Sequence, residues 1–186
     1  MAIRMAAAAD VPAMRAIYAP YIVKTAISFE FTPPTQEEFA ARFARITAQF
    51  PWLVWEEDGE VLGYAYADAA FARRAYGFVA DLSIYLREDA RGRGIGAKLY
   101  GVLEELLRRQ GYCRVYGLVT SENAGSRAFH AAMGYRLAAE FRDCGKKFGR
   151  WHSVAWYEKV LRTGEPPLHF PVSWREISLE GAGLEP

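Results

Sequence analysis

One short segment restricts the possible folds of this chain more than any other: residues 92–97 contain three alternating glycines between a strand-like run and a helix-like run. Mostly apolar residues fill 78–86 before it, and residues 97–110 repeat leucine and valine at helical spacing. Glycine lets the backbone approach a ligand closely, and the unpaired N–H groups at a helix start favour phosphate. Arg91 and Arg93 add local positive charge. The segment therefore predicts a strand–turn–helix unit that binds a phosphate-bearing ligand, in preference to a flexible surface turn.

Two common phosphate-binding motifs do not fit this segment. The pattern Gly-x-Gly-x-x-Ala from Gly92 matches a dinucleotide fingerprint formally, but five residues, 87–91, separate it from the preceding strand, whereas the fingerprint turn follows its strand directly. The next strand also ends at Thr120 without an acid for a ribose. A P-loop fails because Lys98 follows alanine and precedes leucine.

The overall composition excludes several classes of partner. The 186 residues fit one domain, and 23 basic against 22 acidic residues give a net charge of only +1. That balance gives no general reason to expect nucleic acid or an anionic membrane as partner. Residues 1–20 do not match a signal peptide, and no window approaches the roughly eighteen apolar residues of a membrane span. Cys113 and Cys144 form no Cys-x-x-Cys unit, which favours two reduced thiols over a disulfide. We expect a soluble, cytoplasmic protein.

The remaining pattern predicts helices and strands in alternation. Asp10 is expected to cap a helix that begins at Val11, and Pro20 is expected to end or kink it. Thr35 and Glu38 form the capping-box pattern of a second helix. The other predicted elements are strands at 52–56 and 61–67 joined by a turn at 57–60, strands at 78–86 and 112–120, a helix at 126–133, and strands at 135–141 and 153–161.

This order of elements predicts a mixed α/β domain around one sheet, from residue 1 to residue 161. From Arg162 onward, prolines and glycines punctuate a tail, 162–186, that has no regular period. The tail is expected either to drape over the domain or to be mobile, and in both cases to lie away from the chemistry.

Two motifs resemble those of the GNAT superfamily of N-acetyltransferases. The spacing Arg91-x-x-Gly94-x-Gly96 resembles its pyrophosphate-binding signature, and Asn-Ala-Gly-Ser at 123–126 with Phe-His-Ala-Ala-Met-Gly-Tyr at 129–135 resembles its second motif. Within the superfamily, residues 3–161 resemble the phosphinothricin acetyltransferase-like branch. The supporting segments include Phe-Pro-Trp-Leu-Val at 50–54, Ala-Arg-Arg-Ala-Tyr at 72–76 and Lys-Phe-Gly-Arg-Trp-His at 147–152.

The resemblance implies the acyl-coenzyme A N-acyltransferase fold, a splayed mixed β-sheet flanked by helices. Acetyl-coenzyme A is then expected between strand 78–86 and strand 112–120. The strand backbone would contact the pantetheine and acetyl groups, the glycine loop would hold the pyrophosphate, and the amide at 123 would bond to the pantetheine. The expected cofactor-binding residues are Ile84, Tyr85, Leu86, Arg91, Gly92, Arg93, Gly94, Ile95, Gly96, Ala97 and Asn123.

Asp81 is the candidate general base for an amine acceptor, which must lose a proton before acetyl transfer. It interrupts an apolar strand and shares one face with Ser83 and Tyr85. A carboxylate there is costly unless it has a partner or faces a wet cleft. The resemblance implies a glutamate base at this position, so the shorter aspartate favours a water relay over direct abstraction. A structural acid paired with Arg73 or Arg74 is the alternative.

His130 is the second catalytic candidate. Imidazole donates or accepts a proton near neutral pH. The resemblance implies histidine here in this branch, where much of the superfamily has a tyrosine that protonates the coenzyme A thiolate. An ordinary core or surface histidine is the alternative. The other histidines, His152 and His169, give no metal-ligand spacing, so no metal site is expected.

Arg73, Arg74 and Tyr76 lie where the resemblance implies an amino-acid pocket, and a guanidinium fork suits a carboxylate, phosphinate or sulfonyl oxygen. Phe29 and Phe31 are candidate walls of the same pocket. Solvated loop arginines and core packing are the alternatives. The resemblance implies direct acetyl transfer, through a ternary complex, to a small amine such as phosphinothricin or methionine sulfoximine or sulfone, by a homodimer. A peptide N-acetyltransferase and a non-catalytic coenzyme A-binding regulator are the rival interpretations.

Overall fold

The computed structural model describes residues 1–165 and 167–185, which form one seven-stranded sheet with four α-helices. The strands are β1 (Ala2–Met5), β2 (Trp52–Glu57), β3 (Glu60–Ala69), β4 (Val79–Leu86), β5 (Arg114–Thr120), β6 (Arg136–Lys147) and β7 (Arg150–Val160). The helices are α1 (Val11–Lys24), α2 (Gln36–Thr47), α3 (Ile95–Gln110) and α4 (Ala124–Ala132). No helix in the described ranges is long and apolar enough to span a bilayer.

The sheet order is β1-β2-β3-β4-β5-β7-β6, and β4 with β5 is the only parallel pair in the described part of the chain. That pairing covers just Val79–Asp81 against Arg114–Tyr116. Beyond Asp81 the two strands part, although β4 continues to Leu86 and β5 to Thr120. The predicted splayed mixed sheet flanked by helices is confirmed, and the gap opens at Asp81.

Helices cover both faces of the sheet because side chains alternate along each strand. On one face, Trp52 packs against Phe39 and Phe43 of α2, with ring centroids 5.9 and 5.3 Å away. On the other face, α3 lies over β2 and β3 and places Lys98 above the Trp55 ring at 5.2 Å. This two-sided core covers β2 and β3, and β4 pairs with β3, while the edge of β4 that faces β5 stays open beyond Asp81.

The helix starts were predicted with mixed success. The capping box of α2 is confirmed: Glu38 N–H donates to Thr35 Oγ1 at 3.1 Å, and Thr35 N–H donates to Glu38 Oε2 at 2.7 Å. α1 begins at Val11 with Asp10 at its N-cap position, as predicted, but the Asp10 side chain makes no capping bond, because its carboxylate accepts from Ala7 N–H and from the Arg4 guanidinium. Of the two outcomes expected at Pro20, ending the helix is excluded, since α1 continues to Lys24.

Three strands differ from their predicted bounds for physical reasons. β1 was missed, since its four residues show no clear alternation and become a strand only by pairing with β2. β6 and β7 are longer than predicted. The second half of β6 is polar and exposed at the edge of the sheet, with an irregular register between Phe141 and Gly145, so its sequence is typical of a loop.

The described part of the chain after β7 packs against the domain, which is the first of the two arrangements expected for the tail. Val172 N–H donates to Gln110 O at 3.0 Å, and Trp174 Nε1 donates to Thr47 O at 2.9 Å. Near the end of the chain, Ala182 is buried. The tail therefore adds packing to the ends of α2 and α3.

Candidate active site

The gap beside β4 presents backbone hydrogen-bonding groups. In an antiparallel ladder, alternate residues direct both N–H and C=O to the neighbouring strand. Arg87 N–H donates to Leu62 O of β3 at 2.8 Å, which places the odd-numbered residues of β4 in the ladder. The residues whose backbone groups face the gap are accordingly Leu82, Ile84 and Leu86.

Tyrosine hydroxyls occupy the two ends of this backbone edge. Tyr100 Oη donates to Leu82 O at 3.4 Å, while Tyr21 Oη donates to Leu86 O at 2.6 Å and accepts from Leu86 N–H at 3.1 Å. Ile84 lies between them with its backbone toward the gap. Of the three strand residues predicted to bind the cofactor, Ile84 is thus the best placed for a main-chain bond to an extended ligand.

Tyr85 has a different orientation. Its backbone belongs to the ladder with Tyr64, and its ring packs edge-on against Tyr18, 4.7 Å between centroids, and Tyr21, 5.1 Å. It therefore lines the face that carries Asp81 rather than the cofactor edge.

The glycine loop has the backbone conformation that the sequence predicts. Gly92 and Gly94 have φ of +74° and +78°, the left-handed region that glycine adopts without strain, and a Cβ at either position would meet nothing within 4 Å. Gly94 is the N-cap of α3 and provides no side-chain cap. The first N–H groups of this 16-residue helix thus have no side-chain cap, and unpaired N–H groups at a helix start suit a pyrophosphate.

The two loop arginines differ in their surroundings. Arg93 donates to both carboxylate oxygens of Glu57, at 2.9 and 2.7 Å, whereas the Arg91 guanidinium lies 5.1 Å from the centroid of the Tyr21 ring. Arg91 is the freer of the two to meet a phosphate. A cavity of about 810 Å³ adjoins it between α1 and the ends of β3 and β4.

Asp81 borders a second, smaller cavity of about 240 Å³ on the face covered by α1 and α2. Its walls come from the α1–α2 connection, β4, β5 and β7, and the lining residues are Ile27, Ser28, Phe29, Asp81, Leu82, Ser83, Tyr85, Leu118, Thr120 and Val154. Oδ1 of Asp81 is buried without a hydrogen-bond partner among the described residues. An orphaned carboxylate oxygen beside a cavity is costly unless a ligand or water meets it.

Burial, and secondarily the charge of Asp68, raises the pKa of Asp81 to about 7, while the Leu82 N–H works against the rise. Asp68 is the direct cross-strand neighbour, and Arg45 holds it through two bonds of 3.1 and 2.7 Å. No arginine pairs with Asp81 in the described ranges. The alternative of a structural ion pair is therefore not supported.

His130 lies on α4, on the opposite face of the sheet from Asp81. Its ring lies against Gly117 of β5. Tyr116 pairs with Asp81 and points to the same face of the sheet, so the next residue, Gly117, faces the opposite side. Nδ1 lies 2.8 Å from Ser126 O, and because a carbonyl only accepts, Nδ1 carries the hydrogen. Burial lowers the pKa of His130, and this bond to Ser126 opposes the decrease.

A narrow cavity of about 60 Å³ at the gap connects the two faces. Residues from β4, α3, the end of β5, the N-cap of α4 and α4 itself line it, among them Ile84, Tyr100, Asn123, Ser126 and His130. Nε2 of His130 lies 3.5 Å from Tyr100 Oη. Asn123 Oδ1 accepts from Ser126 N–H at 3.1 Å as the cap of α4, which leaves the Asn123 amide NH₂ as a donor. The structure therefore brings Asn123, His130 and Ile84 together at the gap.

The predicted substrate residues, except Phe29, lie apart from the Asp81 cavity. Phe31 is 73% exposed, and Arg73, Arg74 and Tyr76 share an exposed turn before β4. The Arg74 guanidinium lies 4.9 Å from the Phe170 ring of the tail. The cavity wall includes Phe29, which is one of the two phenylalanines predicted as a wall, and residues that the sequence leaves unassigned, Ile27, Ser28, Leu118 and Thr120. No spacing or motif in the sequence marks these residues.

A mixed sheet whose parallel strands part beside a glycine loop at a helix start defines a coenzyme A-dependent acyltransferase. The chain belongs to the GNAT acetyltransferases: the family described as "Acetyltransferase (GNAT) domain" matches residues 3–156. It is an N-acetyltransferase that acts on amines with acetyl-coenzyme A as co-substrate, and the family prediction is confirmed.

Three relatives support this assignment. A phosphinothricin N-acetyltransferase from Alcaligenes faecalis is 37% identical over 163 residues, which is 86% of this chain and 82% of that protein. An L-methionine sulfoximine/L-methionine sulfone acetyltransferase from Pseudomonas paraeruginosa is 37% identical over 86% of this chain and 94% of that protein. The crystal structure of a phosphinothricin acetyltransferase from Sinorhizobium meliloti with acetyl-coenzyme A superimposes with a TM-score of 0.84 at 34% identity, over 98% of this chain and 96% of the other.

Proposed function

We propose that this enzyme acetylates the α-amino group of a small amino acid or amino-acid analogue in the cavity beside Asp81. One observation carries the proposal: an orphaned carboxylate oxygen borders a cavity of about 240 Å³ that adjoins the gap between β4 and β5. Ligand pockets for drug-sized molecules usually measure about 300–1,000 Å³. A cavity of this size suits a compact amine better than a peptide chain.

Asp81 acts as the general base in this proposal. With its pKa raised to about 7, the carboxylate is half ionised at neutral pH and can accept a proton that a fully solvated aspartate would release. The aspartate is one methylene shorter than the glutamate of the related enzymes, so a water between Oδ1 and the amine is the expected route. The cavity provides the space for that water.

His130 and Tyr100 form the proton-handling pair on the other face. The bond from Nδ1 to Ser126 O fixes the ring, so Nε2 is the atom that gains or loses the second proton, 3.5 Å from Tyr100 Oη. Burial disfavours the charged imidazolium, so Nε2 is unprotonated at rest, and a proton that it accepts from solvent is released readily. In the proposal, this proton goes toward the leaving sulfur.

The residues around the gap fit acetyl-coenzyme A. The turn at Gly92 and Gly94 with the α3 start would hold the pyrophosphate, helped by Arg91, and the Ile84 backbone and Asn123 amide would hold the pantetheine. When bound, acetyl-coenzyme A supplies an acetyl group activated as a thioester. The protein supplies position and proton transfer, without a covalent enzyme intermediate.

A substrate panel tests the proposal. Free-thiol release from acetyl-coenzyme A is followed with phosphinothricin, methionine sulfoximine, methionine sulfone, ordinary amino acids and short peptides. We expect kcat/KM for the best amino-acid analogue to exceed that for peptides by about 100-fold or more, because a cavity this small excludes a chain. Comparable rates on peptides would favour a peptide acetyltransferase, and binding of acetyl-coenzyme A without turnover would favour the regulator.

In the proposal, the exposed turn with Arg73, Arg74 and Tyr76 binds the anionic end of the acceptor. Phe31 forms a wall of the site above that end. Both roles require closure of these segments toward the cavity when the acceptor binds. Arg74→Gln would then raise KM for acidic analogues while leaving kcat for a neutral amine unchanged.

We also propose a cytoplasmic homodimer. β6 is an edge strand, and apolar side chains near it, Leu137, Phe141 and Trp151, are each at least 50% exposed. Exposed edges and apolar patches of this kind are usually covered. Cys113 and Cys144 are both free thiols, which suits a reducing compartment. Light scattering on the purified protein tests the dimer, and cell fractionation tests the location.

A further inference from the structure

Lys147 provides an unusual contact between the last residue of β6 and the end of α1. The residue is only 3% exposed, and its ammonium donates to three backbone carbonyls: Ile22 O at 2.7 Å, Thr25 O at 2.9 Å and Ser28 O at 2.6 Å. An ammonium has three donors and no acceptor. Every donor of Lys147 is therefore used on one stretch of backbone.

This contact replaces a local helix cap. The last carbonyls of a helix have no partner within the helix, and a C-terminal glycine in the left-handed region often resolves this. Here the residue after α1 is Thr25, which is extended at φ −139° and ψ 163°. Its hydroxyl bonds Tyr21 O, and Lys147 bonds Ile22 O. A cation at this end is also favoured by the helix dipole.

Two of the three carbonyls that Lys147 binds, Thr25 O and Ser28 O, belong to the segment that forms one wall of the Asp81 cavity. The wall segment, residues 25–29, contains no regular secondary structure and contributes Ile27, Ser28 and Phe29 to the lining. Its position depends on contacts with other elements. Thr120 Oγ1 at the end of β5 donates to one carbonyl of the segment, Ala26 O, at 3.1 Å. Lys147 donates to two, Thr25 O and Ser28 O.

The same hairpin also accommodates the aromatic end of the wall segment. A Cβ at Gly145 of β6 would lie 2.6 Å from Cζ of Phe29, so the glycine leaves the space that the ring fills. The Phe29 ring then lies 6.1 Å from the ring of His152 on β7. The β6–β7 hairpin thus fixes both the backbone and the end of the wall.

We propose that Lys147 is a positioning residue of the acceptor site: anchored on α1 through Ile22 O, it holds residues 25–29 against the Asp81 cavity through Thr25 O and Ser28 O and so sets which amines fit. The inference rests on the proposed function, in which this cavity receives the amine. Lys147 does not reach the cavity itself and takes no part in proton transfer. Removing its donors should therefore disturb acceptor binding much more than acetyl-coenzyme A binding.

The test compares Lys147→Met, which keeps the length and apolar stem but removes the donors, with Lys146→Met as the matched control. Lys146 is the exposed neighbour on the same strand, with its ammonium 5.9 Å from the Trp151 ring centroid. For Lys147→Met we expect KM for the best amine to rise about tenfold or more, with kcat affected less, since a displaced wall misplaces the acceptor. The acetyl-coenzyme A Kd, measured by calorimetry, should stay within twofold. Lys146→Met should change neither.

Amide hydrogen exchange provides a readout that does not depend on turnover. Amides of residues 25–29 should exchange faster in Lys147→Met, whereas those of β4 should not. Faster exchange with an unchanged amine KM would overturn the inference, because Lys147 would then be structural only. An equal rise in the acetyl-coenzyme A Kd would overturn it as well.

Two further arms keep the test decisive. If Lys147→Met does not fold, Lys147→Gln, which is shorter and lacks the charge, replaces it, and faster exchange of residues 25–29 with an unchanged amine KM there contradicts the inference. Failure of the proposed function shows separately, as an absence of turnover by the unaltered enzyme on every amine. Hydrogen exchange then still tests whether Lys147 holds the wall segment. Equal exchange of residues 25–29 in the variant and in the unaltered enzyme would refute the inference.

Discussion

The imidazole of His130 fills the space that a side chain at Gly117 would need. A Cβ at Gly117 of β5 would lie 2.8 Å from Cδ2 of His130 and closer still to Nε2. The ring cannot easily yield, because Nδ1 is bonded to Ser126 O and the ring stacks on Tyr157 with centroids 5.5 Å apart. Gly117 is therefore the structural condition for the position of His130.

Gly117→Ala should accordingly lower kcat to about the level of His130→Ala, roughly 10²-fold or more below the unaltered enzyme. The added methyl group pushes Nε2 away from Tyr100 Oη. Steady-state kinetics on both variants check this. Gly101→Ala on α3 is the matched control, since a Cβ at this position would meet nothing within 4 Å. Full kcat in a folded Gly117→Ala would show that the ring position is irrelevant to turnover.

Asp81→Asn should lower kcat/KM by about 10²–10⁴ and remove a pH dependence. The unaltered enzyme needs Asp81 ionised, so its kcat/KM should rise with pH through the pKa of about 7. The carboxamide of the variant cannot ionise, so the ratio of the two profiles isolates this step and cancels the titration of the acceptor. A ratio that does not change between about pH 6 and pH 8, on either side of that pKa, would exclude Asp81 as the base.

The same substitution should stabilise the fold at high pH. The pKa of Asp81 rises from 3.8 to about 7 on folding, so the folded state binds the proton more tightly. Its contribution to stability is complete below about pH 4 and is lost as the pH rises through about 7. At about pH 8, Asp81→Asn should increase the free energy of unfolding by about 1–2 kcal/mol, less than a sealed site would give, because the carboxylate borders an open cavity. Denaturant unfolding at about pH 5 and pH 8 measures the difference.

Gly94→Ala should weaken acetyl-coenzyme A binding by about tenfold or more and cost about 1–2 kcal/mol of stability, since alanine is strained at φ +78°. Gly59→Ala provides the control: φ is +79° and the space is equally open, but the residue lies in the β2–β3 turn. It should cost similar stability with an unchanged Kd in calorimetry. Equal affinity in both variants would contradict a pyrophosphate site at the α3 start.

Removing residues 162–186 should lower Tm by about 5–10 °C, which corresponds to a few kcal/mol for a chain of this length. The tail buries Ala182, stacks Phe170 on Phe78 at 4.7 Å and bonds to Thr47 through Trp174. The acetyl-coenzyme A Kd should not change, because these contacts lie away from the glycine loop. Calorimetry and thermal unfolding check both expectations, and an unchanged Tm would show that the packing contributes nothing.

The features that sequence reasoning predicted well depend on neighbours along the chain. The Thr35–Glu38 capping box spans three residues, and the Gly92 and Gly94 turn needs only the conformational freedom of glycine. Features that depend on distant pairing were missed or misjudged. β1 forms only by pairing with β2, and the Asp10 carboxylate bonds to Arg4 and to Ala7 N–H instead of capping α1.

Motifs along the chain indicated the family, the glycine loop at the start of α3 and the candidates Asp81 and His130, because residues close in sequence carry each of them. The surroundings that give these residues their chemistry came only from the fold. Asp68 opposite Asp81, Gly117 beneath His130 and Lys147 at the end of α1 are 13 to 125 positions from their partners. Such contacts arise when strands pair and helices pack on them, and no short-range pattern records which residues will meet.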